Sequence, residues 1–276
     1  MKKMILICLV YVFCPSIMMA QDEYDVYLMI GQSNMAGRAG ILSEDRGVME
    51  GVFLLDEKGE IVPAQLPFNI YSTVRKQRSM QRFGLTNVFA REVHRYTGRK
   101  ILLVVNARGE TRISNWVKSA RQITFDKRYG DDRELWGRQA PQLYNEAVRR
   151  TRQAMQYGKL KGIIWHQGEG DSMEPYVWDY VVHLEQLVSD LRADLGVGED
   201  VPFVLGQVST VAKRADMINP ELSKAARKIP NAYCVSSKAC DTLHDNVHFS
   251  RDGYIKIGKR YARYILKKVY GIKVKQ

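Results

Sequence analysis

Val26-Tyr27-Leu28-Met29-Ile30, followed directly by Gly31-Gln32-Ser33-Asn34-Met35, is the stretch that decides the fold of this 276-residue chain. The apolar run predicts a strand over residues 25–30 that carries Ser33 to the edge of a sheet. α/β folds place their ligand sites at such an edge. A serine hydroxyl becomes a useful nucleophile only when a base accepts its proton, so the remainder of the chain has to supply that base.

A suitable base lies near the other end of the chain, in Asp245-Asn246-Val247-His248. His248 can accept the proton of Ser33, and a carboxylate is then needed to orient the histidine ring. Asp245 is three residues away, whereas Glu169 follows a second apolar run and can approach from a neighbouring strand end. The sequence slightly favours Asp245 and leaves the choice open. The alternative interpretations are that Ser33 only caps a helix and that His248 is only an exposed loop residue.

Strands and helices alternate along the chain. Further strands are predicted over residues 101–106, 162–165, 202–208 and 231–236, and helices over residues 85–97, 140–155, 177–195, 220–228 and 252–269. Because parallel neighbours need a crossover between them, this order predicts a three-layer α/β/α sandwich with a mostly parallel sheet. Residues 39–82 and 111–132 lack sustained periodicity, and we interpret them as surface excursions of a single domain over residues 21–276.

The N-terminus is typical of a secretory signal peptide. Lys2 and Lys3 precede an apolar stretch that is too short to cross a bilayer, and Ala20 provides a small residue for cleavage. We therefore expect residues 1–20 to be removed and the protein to be exported to the periplasm or the medium. Cleavage leaves two cysteines, Cys234 and Cys240, which form either a disulfide or two free thiols.

The composition argues against nucleic acid as a partner. The net charge is +12, but the basic residues are spread along the chain and form no recognised nucleic-acid motif. The cysteines show no metal-ligand pattern, and the mature chain is not expected to insert into a membrane. The oligomeric state is left open.

Four blocks resemble, in order, the carbohydrate esterase branch of the SGNH hydrolases, which includes sialate O-acetylesterases and acetylxylan esterases. They are Gly31 to Met35, Arg108-Gly109-Glu110-Thr111 with Trp116 downstream, His166 to Glu169, and Asp245 to His248. The resemblance spans nearly the whole mature chain. It implies the SGNH-hydrolase (flavodoxin-like) fold and a serine esterase that uses Ser33 and His248 and needs no cofactor or metal.

The resemblance also implies roles for several other side chains. The backbone N–H groups of Ser33 and Gly109 and the side-chain amide of Gln167 are the expected oxyanion donors. Arg108 and Arg112 are candidates for binding a substrate carboxylate, and Trp116 is a candidate sugar-stacking face. The second block differs from the Gly-Gly-Thr form of many relatives, because it has Arg108-Gly109-Glu110-Thr111 there.

An acetylated carbohydrate is the expected substrate, with sialic acid first and xylan second. The same residues are compatible with two other functions. One is an esterase for a short acyl chain on a non-carbohydrate alcohol, and the other is a carbohydrate-binding protein that keeps the fold without turnover.

Overall fold

A seven-stranded sheet forms the centre of the protein. The computed structural model describes residues 24–75, 82–120 and 142–274. The strands are β1 Tyr24–Gly31, β2 Val52–Leu55, β3 Ile61–Pro63, β4 Ile101–Ala107, β5 Gly158–His166, β6 Phe203–Gly206 and β7 Ala232–Val235. Their order in the sheet is β3-β2-β4-β1-β5-β6-β7, and within it only β3 runs antiparallel to its neighbour. The predicted mostly parallel α/β fold is confirmed.

Helices cover both faces of the sheet. They are α1 Ser33–Ala36, α2 Leu85–Thr97, α3 Leu143–Ala154, α4 Tyr180–Leu195, α5 Ala215–Lys228 and α6 Arg251–Val269. Successive side chains of a strand point to opposite faces, so β1 contributes to two separate cores. Val26, Leu28 and Ile30 belong to the core shared with α3, α4 and α5. Tyr27 and Met29 belong to the core shared with α1, α2 and α6.

The strand order creates a crevice at the carboxyl end of β1. This strand lies between β4 and β5, and its last residue, Gly31, is in register with Ala107 of β4 and His166 of β5. The three strands therefore end at one level, and the loops that follow them begin side by side. Ligands of open α/β sheets bind where the connections leave in opposite directions in this way.

The interpretation of residues 39–82 as a surface excursion is wrong in part. This segment contains β3, which is the edge strand of the sheet, and β2, which lies between β3 and β4 and pairs in parallel with β4. Val52 and Leu54 are almost fully buried there. The second proposed excursion is also partly internal, since Ile113 and Trp116 are buried and residues 121–132 lie outside the described part.

The predicted signal peptide, residues 1–20, also lies outside the described residues. Within the described ranges, none of the helices combines the length and the apolar character required to span a bilayer.

Candidate active site

Ser33 is the first residue of the short helix α1, immediately beyond the carboxyl end of β1. The turn is tight because Gly31 has a φ of +141°, and a Cβ on that residue would lie 2.1 Å from the carbonyl oxygen of His166. The Gln32 N–H then donates to the same carbonyl oxygen at 2.9 Å. A glycine is therefore required at position 31 for the chain to turn beside β5 and present Ser33 at the sheet edge.

An unbroken hydrogen-bonded chain joins Ser33, His248 and Asp245. The Oγ of Ser33 is 2.8 Å from Nε2 of His248, and Nδ1 of His248 is 2.6 Å from Oδ2 of Asp245. His248 lies on the loop before α6, whose first turn is capped by the Ser250 side chain. This is the geometry in which a histidine withdraws a proton from a serine while a carboxylate fixes its ring.

Asp245 is held as a carboxylate by its own loop. Desolvation pushes the pKa of Asp245 upward, but hydrogen bonds from the backbone N–H and ring of His248 and from the backbone N–H of Val247 outweigh it and lower the pKa. Both backbone donors lie 2.9 Å from Oδ1, which leaves Oδ2 for the ring. Oδ1 of Asp245 thus stabilises the loop, and Oδ2 orients the His248 ring.

Glu169, the other carboxylate considered from sequence, has no hydrogen bond to His248. Its Oε1 accepts a hydrogen bond from Nδ2 of Asn34 at 2.5 Å and lies 3.8 Å from Nε2 of His166. Only 7 % of the Glu169 side chain is exposed, and burial raises its pKa to about 7. Of the two alternatives, the geometry places Asp245, and not Glu169, on the histidine ring.

His166 is excluded as a competing base by its surroundings. The residue is fully buried, and burial lowers the pKa of its imidazole to about 3. Its Nδ1 is 2.9 Å from the hydroxyl of Tyr261. It therefore remains neutral inside the sheet.

Two of the three expected oxyanion donors lie beside the nucleophile. Ser33 begins α1, where backbone N–H groups have no intrahelical acceptor. Gly109 is close to it, because a Cβ added to Gly109 would be 3.7 Å from the Cβ of Ser33. A Cβ at position 109 would also lie 2.9 Å from Nη2 of Arg38, so this crowded position favours glycine.

The assignment of Gln167 as the third oxyanion donor is wrong. Its side-chain nitrogen donates to the carbonyl oxygen of Thr111 at 2.9 Å and to Oδ2 of Asp171 at 2.6 Å, and the residue is fully buried. Both amide hydrogens are thus occupied within the protein. Asp171 in turn accepts from the backbone N–H of Ile113, so Gln167 joins the loops after β4 and β5.

The substrate-binding roles expected for Trp116 and Arg108 are also wrong. Trp116 is fully buried, its indole N–H donates to Oγ1 of Thr111 at 3.0 Å, and its ring packs edge-on against Trp165. Arg108 is 5 % exposed, and its guanidinium donates to the carbonyl oxygen of Val74. Both side chains point into the protein, away from the crevice.

Arg112 does lie in the crevice. A cleft of about 440 Å³ contains Ser33 and His248, and Glu110, Arg112 and Glu169 also line it. The Arg112 guanidinium lies over the Tyr176 ring at 3.5 Å from its centroid. Among the described residues no carboxylate is within ion-pair distance of it.

Arg38 is a site residue that the sequence analysis missed. Its Nη2 is 2.9 Å from the position that a Cβ of Gly109 would occupy. Its positive charge interacts favourably with the carboxylates of Glu110 and Asp245. Desolvation lowers the pKa of Arg38. The available signal was a lone charge in Ala36-Gly37-Arg38-Ala39, five residues after the nucleophile.

A serine, a histidine and an aspartate in this geometry, at the carboxyl ends of parallel strands, form the arrangement that serine hydrolases share. A family model described as "Carbohydrate esterase, sialic acid-specific acetylesterase" matches residues 23–267. The chain belongs to this family.

Individual relatives are distant in sequence. A protein of Arabidopsis thaliana named "Probable carbohydrate esterase" is 22 % identical over 269 residues, which cover 90 % of this chain and 93 % of that protein. The solved structure of an Arabidopsis thaliana protein is similar with a TM-score of 0.74 at 21 % identity, covering 90 % of this chain and 99 % of that one. The TM-score shows a shared fold.

Two further solved structures have the same fold. The structure of NanS has a TM-score of 0.67 at 19 % identity and covers 91 % of this chain and 99 % of its own. A carbohydrate acetylesterase from Xanthomonas citri has a TM-score of 0.64 at 18 % identity, with 91 % of this chain and 57 % of that one covered. Family and fold together support a carbohydrate acetylesterase.

Proposed function

We propose that the protein is a serine esterase that removes O-acetyl groups from a carbohydrate, with acetylated sialic acid as its substrate. The observation that carries this proposal is the chain from Ser33 Oγ through His248 to Asp245, with distances of 2.8 and 2.6 Å. It opens onto the cleft, where a sugar ester has room to bind.

The reaction follows from the positions of these groups. Ser33 Oγ attacks the acetyl carbonyl carbon while its proton passes to Nε2 of His248. The N–H groups of Ser33 and Gly109 stabilise the oxyanion of the tetrahedral intermediate. The bond to the sugar oxygen then breaks, and that oxygen takes the proton from His248. A water molecule attacks the acetyl-serine, gives a proton to His248 and releases acetate, and Ser33 recovers its proton.

The first experiment compares acetate release by the wild-type protein and by Ser33→Ala from a generic acetyl ester, acetylated sialic acid and acetylated xylan. We expect Ser33→Ala to lose activity on every substrate. Ser114→Ala is a matched control, because Ser114 lines the same cleft and stands outside the hydrogen-bonded chain of Ser33, His248 and Asp245. Full activity of Ser33→Ala would overturn the mechanism, and inactivity of the wild-type protein on all substrates would favour a binding protein.

Arg112 is the feature that favours sialic acid over xylan. A guanidinium binds a carboxylate through two parallel hydrogen bonds, and sialic acid carries a carboxylate whereas a xylose unit does not. The packing of Arg112 on Tyr176 holds the planar group at the cleft wall. The sialic acid-specific description of the matching family agrees with this choice.

Arg112→Gln tests the sialic acid proposal. We expect KM for acetylated sialic acid to rise by about tenfold or more, the loss of a charge-assisted pair, while KM for a neutral acetyl ester stays unchanged. An equal effect on both substrates would contradict carboxylate recognition. Wild-type preference for acetylated xylan would instead support the acetylxylan esterase alternative, and preference for an acyl ester of a simple alcohol would point away from carbohydrates.

Export is part of the same proposal. Cleavage after Ala20 would release a protein that begins at Gln21 and acts outside the cytoplasm on extracellular glycans. Mass spectrometry of the protein recovered from the periplasm and the medium tests this. A mature protein that retains residues 1–20 would contradict it.

A further inference from the structure

Asn34, the neighbour of the nucleophile, uses all of its side-chain hydrogen-bonding capacity. The residue is fully buried. Its Nδ2 donates to Oε1 of Glu169 at 2.5 Å and to the carbonyl oxygen of Val247 at 3.0 Å. Its Oδ1 accepts from the N–H of Phe249 at 3.1 Å and from the hydroxyl of Tyr254 at 2.8 Å. Two donors and two acceptors are the full capacity of an amide side chain.

These four bonds connect the elements that carry the two reacting side chains. Asn34 follows Ser33 on α1, and Val247 and Phe249 immediately precede and follow His248. Tyr254 lies in the first turns of α6, and Glu169 lies in the loop after β5. One amide therefore bridges the helix of the nucleophile to both sides of the base.

Asp245 fixes the orientation of His248 but not its distance from Ser33. The carboxylate lies on the same loop as the histidine, and 47 % of its side chain is exposed. If the loop moved as a unit, the Asp245–His248 bond would persist while the Ser33–His248 bond broke. Contacts from the Ser33 side resist such a movement, and Asn34 makes two of them, to the residues on either side of His248.

We propose that Asn34 is the positioning residue that holds Ser33 Oγ within hydrogen-bond distance of His248 Nε2, and that Glu169 supports catalysis only by anchoring Asn34. This inference rests on the proposed function, since it concerns the same site. Neither Asn34 nor Glu169 exchanges a proton with the substrate. Each affects the reaction by keeping Ser33 Oγ and His248 Nε2 at hydrogen-bond distance.

The test exchanges donor and acceptor between the two residues. In Asn34→Asp the amide donor becomes an oxygen that faces two acceptors, Glu169 Oε1 and the Val247 carbonyl. We therefore expect kcat to fall about 100-fold with KM little changed. A misplacement of the reacting groups by about 1 Å has an effect of this size. In Glu169→Gln the amide oxygen still accepts from Asn34, so we expect kcat to fall severalfold at most, much less than in Asn34→Asp. In the double variant the amide introduced by Glu169→Gln donates to the carboxylate introduced by Asn34→Asp, and about tenfold of the lost kcat should return.

A second pair of variants tests the positioning role even if Asn34→Asp does not fold. Tyr254→Phe deletes one bond to Asn34 and keeps the buried ring. Tyr180→Phe is its control, because Tyr180 is equally buried. The Tyr180 hydroxyl donates to the backbone carbonyl of Gln167 at 2.9 Å and accepts from the indole N–H of Trp165 at 3.1 Å. We expect comparable losses of thermal stability, with kcat lowered severalfold only in Tyr254→Phe.

The outcomes separate this inference from the proposed function. Normal kcat in Asn34→Asp or in Tyr254→Phe would overturn the positioning role, and so would a double variant that recovers nothing. A large fall of kcat in Glu169→Gln alone would show that Glu169 acts by another route. Ser33→Ala is measured alongside, because full activity there would reject the serine mechanism itself.

Discussion

At the scale of single residues, Asp245 determines whether His248 is an effective base. In Asp245→Asn the ring loses its carboxylate acceptor, so neither the tautomer nor the imidazolium formed during the reaction is stabilised. We expect kcat for acetate release to fall by on the order of 100-fold or more, with KM nearly constant. Asp241→Asn is the control, since Asp241 lies on the same loop and its side chain pairs with Lys256. Equal kcat values in the two variants would contradict the role of Asp245.

Burial of Glu169 makes stability depend on pH. Its folded-state pKa is raised from 4.5 to about 7, so its contribution to stability is complete below the unfolded value and is lost as pH rises through about 7. The loss amounts to about 3 kcal/mol in the free energy of unfolding. Urea unfolding at pH 5 and pH 8 should show most of this loss for the wild-type protein relative to Glu169→Gln. Parallel pH dependence of the two proteins would show that Glu169 does not titrate in this range.

The sequence identified the chemistry of the site more reliably than the direction of its side chains. Ser33, Asp245 and His248 come together because each follows a recognisable strand end or precedes a recognisable helix. Gln167 and Trp116 lie in the correct loops but point inward. Their direction depends on partners such as Asp171 and Trp165, which are brought to them only by the folded chain. No local pattern contains that information.

At the scale of elements, local signals located every described helix longer than ten residues but missed strands β2 and β3. They also missed the first five residues of α5, which begins at Ala215 and contains Pro220, where the predicted helix began. Helix α2 has the predicted bounds, Leu85–Thr97, because its apolar face is continuous and Gly98 ends it with a φ of +65°. Strand β2 has only four residues, and it pairs with residues 101–103 of β4, about fifty positions along the chain. Strands β6 and β7 are equally short, but each lies between two long helices that were predicted, whereas β2 is followed directly by β3, so no alternation of strand and helix marks it.

The end of β1 leaves no room for a side chain at position 31. In Gly31→Ala the new Cβ would meet the carbonyl of His166 at 2.1 Å, and the φ of +141° is unfavourable for alanine. We expect the free energy of unfolding to fall by about 3 kcal/mol or more, measured by urea denaturation. Gly196→Ala is the control. Its φ is +66° with no heavy atom within 4 Å of the added Cβ, so the cost there is about 1 kcal/mol. Similar losses would contradict the requirement for glycine at the strand end.

At the scale of the whole molecule, stability comes from two cores on opposite faces of one sheet. Alternate residues of β1 supply both cores, and the same strand ends at the catalytic serine. The sequence predicted the layered architecture because the order of strands and helices is sufficient to infer it. It did not predict where the loops bury their polar side chains, since that depends on contacts between distant segments.

A chain of this size buries enough surface to be stable without a covalent cross-link, and its two described cysteines are free. Burial raises the pKa of the Cys234 thiol to about 11 and raises that of Cys240, so little of the reactive thiolate forms at neutral pH. We therefore expect the same Tm with and without dithiothreitol, and two thiols that iodoacetamide modifies only after unfolding. The double variant Cys234→Ser, Cys240→Ser, with its own Tm unaffected by the reductant, is the control. A mass two hydrogens below that of the dithiol would show that an oxidised form exists. A lower Tm of the wild-type protein in dithiothreitol would then show that the cross-link contributes to stability.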